Sequence, residues 1–168
     1  MRNSIALRAA TADDLPFLGR LYRDTRRQEL EGWGWPQEQR EWFLQMQFDA
    51  RQRSYEAAYP NAEDRIVCIQ DVPAGRLLLN REPAGLQLID LALLEEFRNQ
   101  GFGTELLRRL QCECERERIA LSLQVLTANP AMRLYRRLGF GEVSTDPVYA
   151  RLEWLPVSRP RGLEWRTI

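Results

Sequence analysis

The chain reads as an α/β (α+β) domain in which strands alternate with helices, and three observations predict it. An apolar stretch, Leu86, Leu88, Ile89, Leu91 and Leu93, runs through the turn Gly101-Phe102-Gly103 into a segment with Leu106, Leu107, Leu110 and Cys114 at one-face helical spacing. The same order returns downstream. The apolar run Ala120 to Leu126 leads to Asn129 to Phe140, where Ala131, Leu134, Tyr135 and Leu138 fall at i, i+3, i+4 and i+7. Finally, 168 residues with 44% hydrophobic content suit one packed core, and no run approaches the ~18 consecutive apolar residues that a membrane span needs.

Taken in order, Ile5 to Arg8 predicts a strand, and a cap near Thr11 to Asp14 starts a helix carrying Leu15, Leu18, Leu21 and Tyr22. The loop Glu31-Gly32-Trp33-Gly34-Trp35-Pro36 leads to a long helix ending about Ala58. That helix has Leu44, Phe48, Tyr55 and Tyr59 on one face and Phe43, Met46 and Ala50 on another, so burial on two sides is expected. Strands follow near Arg65 to Gln70 and Gly75 to Arg81, split by the turn Asp71-Val72-Pro73-Ala74-Gly75. Next come the strand Leu86 to Leu94 with its helix, the strand Ala120 to Leu126, and the Asn129 helix. A closing hairpin spans Val143 and Val148 to Trp154 around Asp146-Pro147. Repeats and low-complexity segments are absent from the sequence.

Two glycines at the strand-to-helix turn remove the Cβ atoms that keep a ligand off the backbone. The first turn of the following helix also leaves N–H groups without internal partners. Such a terminus attracts an anion through aimed donors and about half a unit of positive charge. A tight turn with no ligand is the competing reading. A Walker A loop is excluded because it needs lysine, and all 24 Lys+Arg residues here are arginine. A dinucleotide fingerprint is excluded because Leu106 stands where its third glycine belongs.

Downstream, Pro130 suits the first helical position with Asn129 as its cap, and Gly139 ends the helix. Alone, Asn129 reads as a cap and Tyr135 as a core aromatic. Together, Arg98-Asn99-Gln100-Gly101-Phe102-Gly103 and Asn129-Pro130-Ala131, Leu134-Tyr135, Leu138-Gly139-Phe140 resemble the GNAT family, the acyl-CoA-dependent N-acetyltransferases. The resemblance is specific over Leu86 to Phe140 and extends by element order from Ile5 through Trp154. Glu95 departs from it, standing where many relatives carry proline.

This resemblance implies a mixed, strongly twisted sheet of about six to seven strands flanked by helices. In such a sheet Leu86 to Leu94 is splayed from Ala120 to Leu126 to open an acyl-CoA cleft. It implies a domain over 1–155, with 13–60 on the acceptor side, 86–140 as the acyl-CoA core and 156–168 as a tail. Acetyl-CoA is the implied donor: its pyrophosphate meets backbone N–H groups from Gln100 to Thr104, with Arg98 near the same phosphates. Asn129 contacts the pantetheine arm or the departing thiol region, and a backbone N–H at Leu93 or Leu94 steadies the acetyl oxygen. Tyr135 is the implied acid for the leaving thiolate. Asp90, Glu31 and Glu29 are the candidates for taking the amine proton, Asp90 foremost, against its reading as a surface carboxylate. Glu29, Glu31, Trp33 and Trp35 fall where similar proteins line the acceptor pocket, and carboxylates beside indoles suit a cationic amine. A packed helix corner is the alternative there.

Composition narrows the chemistry further. Histidine is absent, which removes Ser-His-Asp triads, histidine bases and His-ligated zinc, so proton transfer falls to carboxylates, tyrosines, cysteines, termini or water. Three cysteines make no full disulfide framework, and Cys112 and Cys114 point apart on one helix, so no metal site is expected; Cys68 reads as a core residue. Zero formal charge without like-charge blocks argues against nucleic-acid or membrane partners. The start of the chain lacks a secretory apolar core, and the cytoplasm is the expected location. The expected acceptor is a small-molecule or peptide amine, and a homodimer is left open. A module that binds acyl-CoA without turnover and a partner-binding or structural domain using the tryptophan-rich loop and the tail, with Leu163 and Trp165, are the alternative functions.

Overall fold

The computed structural model describes residues 4–157; the predicted tail with Leu163 and Trp165 lies outside them. Seven strands are described: β1 (Ile5–Ala9), β2 (Glu63–Ile69), β3 (Val72–Glu82), β4 (Gly85–Leu93), β5 (Ala120–Leu126), β6 (Gly141–Thr145) and β7 (Tyr149–Trp154). Their sheet order is β1-β2-β3-β4-β5-β7-β6. Four α-helices accompany them among the described residues: α1 (Leu15–Glu31), α2 (Gln37–Ala58), α3 (Phe102–Glu117) and α4 (Met132–Arg137). The sheet is mixed, as expected: β4 and β5 are parallel, while β1/β2, β2/β3, β5/β7 and β6/β7 are antiparallel. None of the described helices is long and apolar enough to cross a membrane. The chain divides into two compact units, one of residues up to Arg81 with Ile89–Gly103, the other of Glu82–Leu88 with residues from Thr104 onward.

In the first unit, α1 starts where the sequence places its cap. The Asp14 carboxylate accepts the Thr11 N–H at 2.8 Å and also takes both arms of Arg8 at 2.7 and 2.8 Å, tying β1 to the helix entry. Leu18, Leu21, Tyr22 and Leu30 of α1 pack with Leu44 and Phe48 of α2, Ile66 and Cys68 of β2, and Leu94. Each such side chain contributes roughly 1.5–3 kcal/mol by leaving water. Two expectations fail at the edges of this core. Leu15 is 47% exposed although its spacing puts it on the buried stripe, since it is the first residue of α1, and α2 is buried along one stripe only, since Met46 is 44% exposed and Ala50 is exposed.

The predicted turn at Asp71 to Gly75 is also corrected. The chain reverses at Gln70 and Asp71, both left-handed with φ of 51° and 63°, and Val72 to Gly75 already belong to β3. The Pro/Gly signal instead marks a bulge, because Val67 pairs with Gly75 and Cys68 with Pro73. Gly75 is required by close approach: a Cβ there would lie 2.2 Å from the Ala92 carbonyl oxygen of β4.

In the second unit, α3 buries Leu106, Leu107, Leu110 and Cys114 as its spacing predicts, while Cys112 faces outward. Leu121, Leu123 and Val125 of β5 and Ala150 and Leu152 of β7 are buried along an antiparallel ladder from Leu121↔Trp154 to Leu126↔Tyr149. The predicted β6–β7 hairpin closes on Asp146, whose carboxylate accepts the Val148 and Tyr149 N–H groups at 2.7 and 2.8 Å; these bonds hold its carboxyl below the ordinary value. The parallel ladder between β4 and β5 covers Gly85–Leu88 and Ala120–Leu123.

Hydrogen bonding to Arg8 lowers the Asp14 carboxyl from 3.8 to about 2. A carboxyl lowered by folding stabilises the folded state above its unfolded value, and that contribution fades as pH falls through the folded one. Asp14→Asn is therefore expected to remove the part of the wild-type stability loss that falls between pH 3.8 and about 2. Urea midpoints for both proteins across that range check it, and parallel curves would contradict it.

Candidate active site

The site begins where β4 ends. The Leu94 N–H donates to the Ala74 carbonyl at 2.8 Å, so it is not available to an acetyl oxygen, which corrects one of the two expected donors. Glu95–Phe97 then form a short 3-10 turn in place of the family's proline, and the Glu95 N–H donates to the Asp24 carboxylate at 2.8 Å. Two left-handed residues follow, Asn99 with φ of 58° and Gly101 with φ of 87°, and they swing the chain into α3. Open space surrounds the missing Cβ of Gly101. Phe102 is buried and meets Phe97 edge-on at 6.4 Å, anchoring the first turn of α3, while Gly103 and Thr104 stay half-buried. This geometry fits a phosphate: exposed glycine backbone at a helix start, with first-turn N–H groups unclaimed by the helix itself.

Arg98, expected beside the phosphates, is tied to the protein itself. Its Nε donates to the Leu93 carbonyl at 2.8 Å and its Nη2 to Asp24 at 2.7 Å. Asp24, with 9% of its side chain exposed, also accepts Arg27 at 3.0 Å. It is the residue that sequence reasoning missed. It lies on α1, 74 positions from Arg98, and nothing in local spacing links the two.

Asp90 is half-buried on β4 and pairs with Arg51 at 3.3 Å, so the leading base candidate already has a cationic partner. Arg51 lies over the rings of Tyr22 and Tyr55, at 5.5 and 5.1 Å, and its Nε donates to the Tyr55 hydroxyl at 2.7 Å. Burial and the nearby Asp90 charge push the Tyr55 phenol up. Glu29 pairs with Arg26 at 3.0 Å on the surface. Trp33 and Trp35 meet edge-on at 5.2 Å, and both lie against Phe43 of α2, tilted at 6.1 Å and edge-on at 5.3 Å, with Trp33 46% exposed. Glu31 instead lines a cavity between α1 and α2.

In the second unit, the Asn129 side-chain oxygen accepts the Ala131 N–H at 2.9 Å. α4 starts at Met132, later than expected, because Met132 and Arg133 make i−3 bonds to Asn129 and Pro130, and an i−4 bond first closes from Tyr135 to Ala131. Tyr135 is half-buried with its ring edge-on to Phe140 at 5.7 Å, and Gly139, with φ of 88°, ends the helix as expected.

Residues 20–140 match the family model for the acetyltransferase (GNAT) family. The chain belongs to that family. It is an acyltransferase, and acetyl-CoA is its acyl donor. Among solved structures, PaiA N-acetyltransferase from Thermoplasma acidophilum in complex with coenzyme A is 18% identical, with 90% of this chain and 99% of that one covered at a TM-score of 0.68. An acetyltransferase from Thermus thermophilus is 21% identical, with 90% and 97% covered at 0.64. The ribosomal-protein-S18-alanine N-acetyltransferase from Escherichia coli is 17% identical, with 96% and 100% covered at 0.63. At these identities the likeness shows the fold alone. No curated protein matches the sequence.

Asp24→Ala strands two guanidinium groups and the Glu95 N–H. It is expected to cost about 2 kcal/mol, the scale of hydrogen bonds to charged groups, with Asp24→Asn intermediate. Urea unfolding checks it, and a loss within about 0.5 kcal/mol would contradict it.

Proposed function

We propose that the protein acetylates a primary amine by direct attack on acetyl-CoA held at the start of α3, in the cytoplasm. The observation that carries this reading is the end of β4. The strand is laddered to β5 over Gly85–Leu88, and the stretch Ile89–Leu93 beyond, apolar but for Asp90, stays half-buried before the glycine turn. A half-covered apolar strand leading to a helix N-terminus suits a ligand with a thin apolar arm and a phosphate at one end.

Backbone N–H groups from Gln100 to Thr104 bind the pyrophosphate. Arg98 holds that loop through Asp24 and the Leu93 carbonyl, and Asn129 meets the pantetheine arm. Bound acetyl-CoA supplies the thioester carbonyl that the amine attacks and the thiolate that leaves. With the Leu94 N–H committed to Ala74, the Leu93 N–H is the donor that steadies charge developing on the acetyl oxygen. The amine must lose a proton to become nucleophilic. Asp90 and Glu29 face arginines, whereas Glu31 enters no ion pair among the described residues, and we assign the proton to Glu31 directly or through water. The C–N bond forms, the C–S bond breaks, and Tyr135 protonates the thiolate. Trp33 and Trp35, which follow Glu31 in the chain, form an aromatic corner with Phe43.

Gly103→Val is expected to weaken acetyl-CoA binding at least tenfold, about 1.4 kcal/mol, in a protein that still folds; calorimetry checks it. Tyr135→Phe keeps the packing against Phe140 and lowers turnover by one to several decades, the approximate scale of general acid catalysis. Wild-type turnover in the folded Tyr135→Phe protein would return Tyr135 to a packing role.

A further inference from the structure

α1 and α2 enclose a cavity of about 660 Å³, within the range of small-molecule sites, with Leu30, Leu44 and Leu94 as its apolar wall. Its charges are mostly spent on each other. Arg27 pairs with Asp24 and Glu95 at 3.0 and 3.4 Å, Arg20 reaches Glu96 at 3.9 Å, and Arg23 donates to Gln45 at 3.2 Å. Glu41 accepts from the Gln37 amide at 3.3 Å, which leaves two lining charges with no side-chain hydrogen bond or ion pair among the described residues. Neither Glu31 of α1 nor Arg40 of α2 enters an ion pair among the described residues. One anion and one cation without a side-chain partner are thus presented from two helices into one cavity.

We propose that this cavity is the acceptor pocket and that it takes an amine carrying its own carboxylate, an amino acid or a short peptide. Arg40 offers the planar fork that matches a carboxylate, Glu31 faces the ammonium, and the leucine wall receives the side chain. A zwitterion satisfies both groups at once. A diamine places its second cation against Arg40, and an amide leaves Arg40 without an anion. The cavity also reaches the reaction: Leu94 lines it, and Leu94 directly follows Leu93, where the proposed function sets the acetyl carbonyl. The inference rests on that reading.

The test is a thiol-release assay on the full chain with acetyl-CoA and three matched acceptor sets: amino acids and di- or tripeptides with free carboxylates, their C-terminal amides, and diamines of equal length. The free-carboxylate set is expected to lead in kcat/KM by at least tenfold, and comparison within it separates amino acid from peptide. Arg40→Gln is expected to raise the KM of that acceptor at least tenfold while the calorimetric affinity for acetyl-CoA stays within twofold. Equal turnover of amides or diamines would overturn the proposal, as would an Arg40→Gln effect confined to acetyl-CoA affinity. If no amine releases thiol, the proposed function fails, and calorimetric titration with the same panel then decides the pocket by itself. Binding that needs the carboxylate and is lost in Arg40→Gln upholds the pocket, and absence of binding overturns it.

Discussion

The buried carboxylate of Asp24 is the constraint on which the loop and the cavity both depend. From one position on α1 it accepts the Glu95 N–H, the Arg98 guanidinium and the Arg27 guanidinium. Arg98 in turn fixes the Leu93 carbonyl, so the last residue of β4, the 3-10 turn and the left-handed residues before α3 share one anchor. A loop that binds phosphate through backbone N–H groups needs its donors preset, since ordering them on binding costs affinity. Asp24 supplies that order from a helix that carries no part of the loop. A carboxylate held beside a turn proposed to bind phosphate repels such a ligand unless its charge is answered, and Arg98 and Arg27 answer it.

The chemistry follows from what the chain lacks as much as from what it holds. Without histidine, the proton leaving the amine and the proton reaching the thiolate fall to carboxylates, tyrosines, cysteines, termini or water. The two most obvious carboxylates are occupied, Asp90 by Arg51 and Glu29 by Arg26, which turns attention to Glu31 on the cavity wall. The Asp90–Arg51–Tyr55 cluster has a structural use of its own, since it joins β4 to α2 and places a guanidinium between two aromatic rings.

The elements whose apolar period is clean were legible in the sequence: α3 with Leu106, Leu107, Leu110 and Cys114, β5 to the residue, and the Asp146 hairpin. The turn signal at Pro73 and Gly75 misled because the same residues serve a bulge, where proline's missing N–H and glycine's missing Cβ are also needed. The second face of α2 misled because helical period shows which residues align and not how many neighbours arrive to cover them. Around the candidate site, the Gly101 turn and the Asn129 cap were readable because local backbone geometry dictates them. Asp24 and Arg40 were not, because their roles depend on partners or cavities formed by distant segments.

The most direct measurement is a double-mutant cycle on acetyl-CoA affinity, using Asp24→Ala, Arg98→Ala and the pair in calorimetric titrations. If the two residues act as one brace for the α3 loop, each single change weakens binding by a similar factor, and the double mutant is no worse than the weaker single. If the losses multiply, Arg98 meets the phosphates independently of Asp24, and the brace is not what holds the loop.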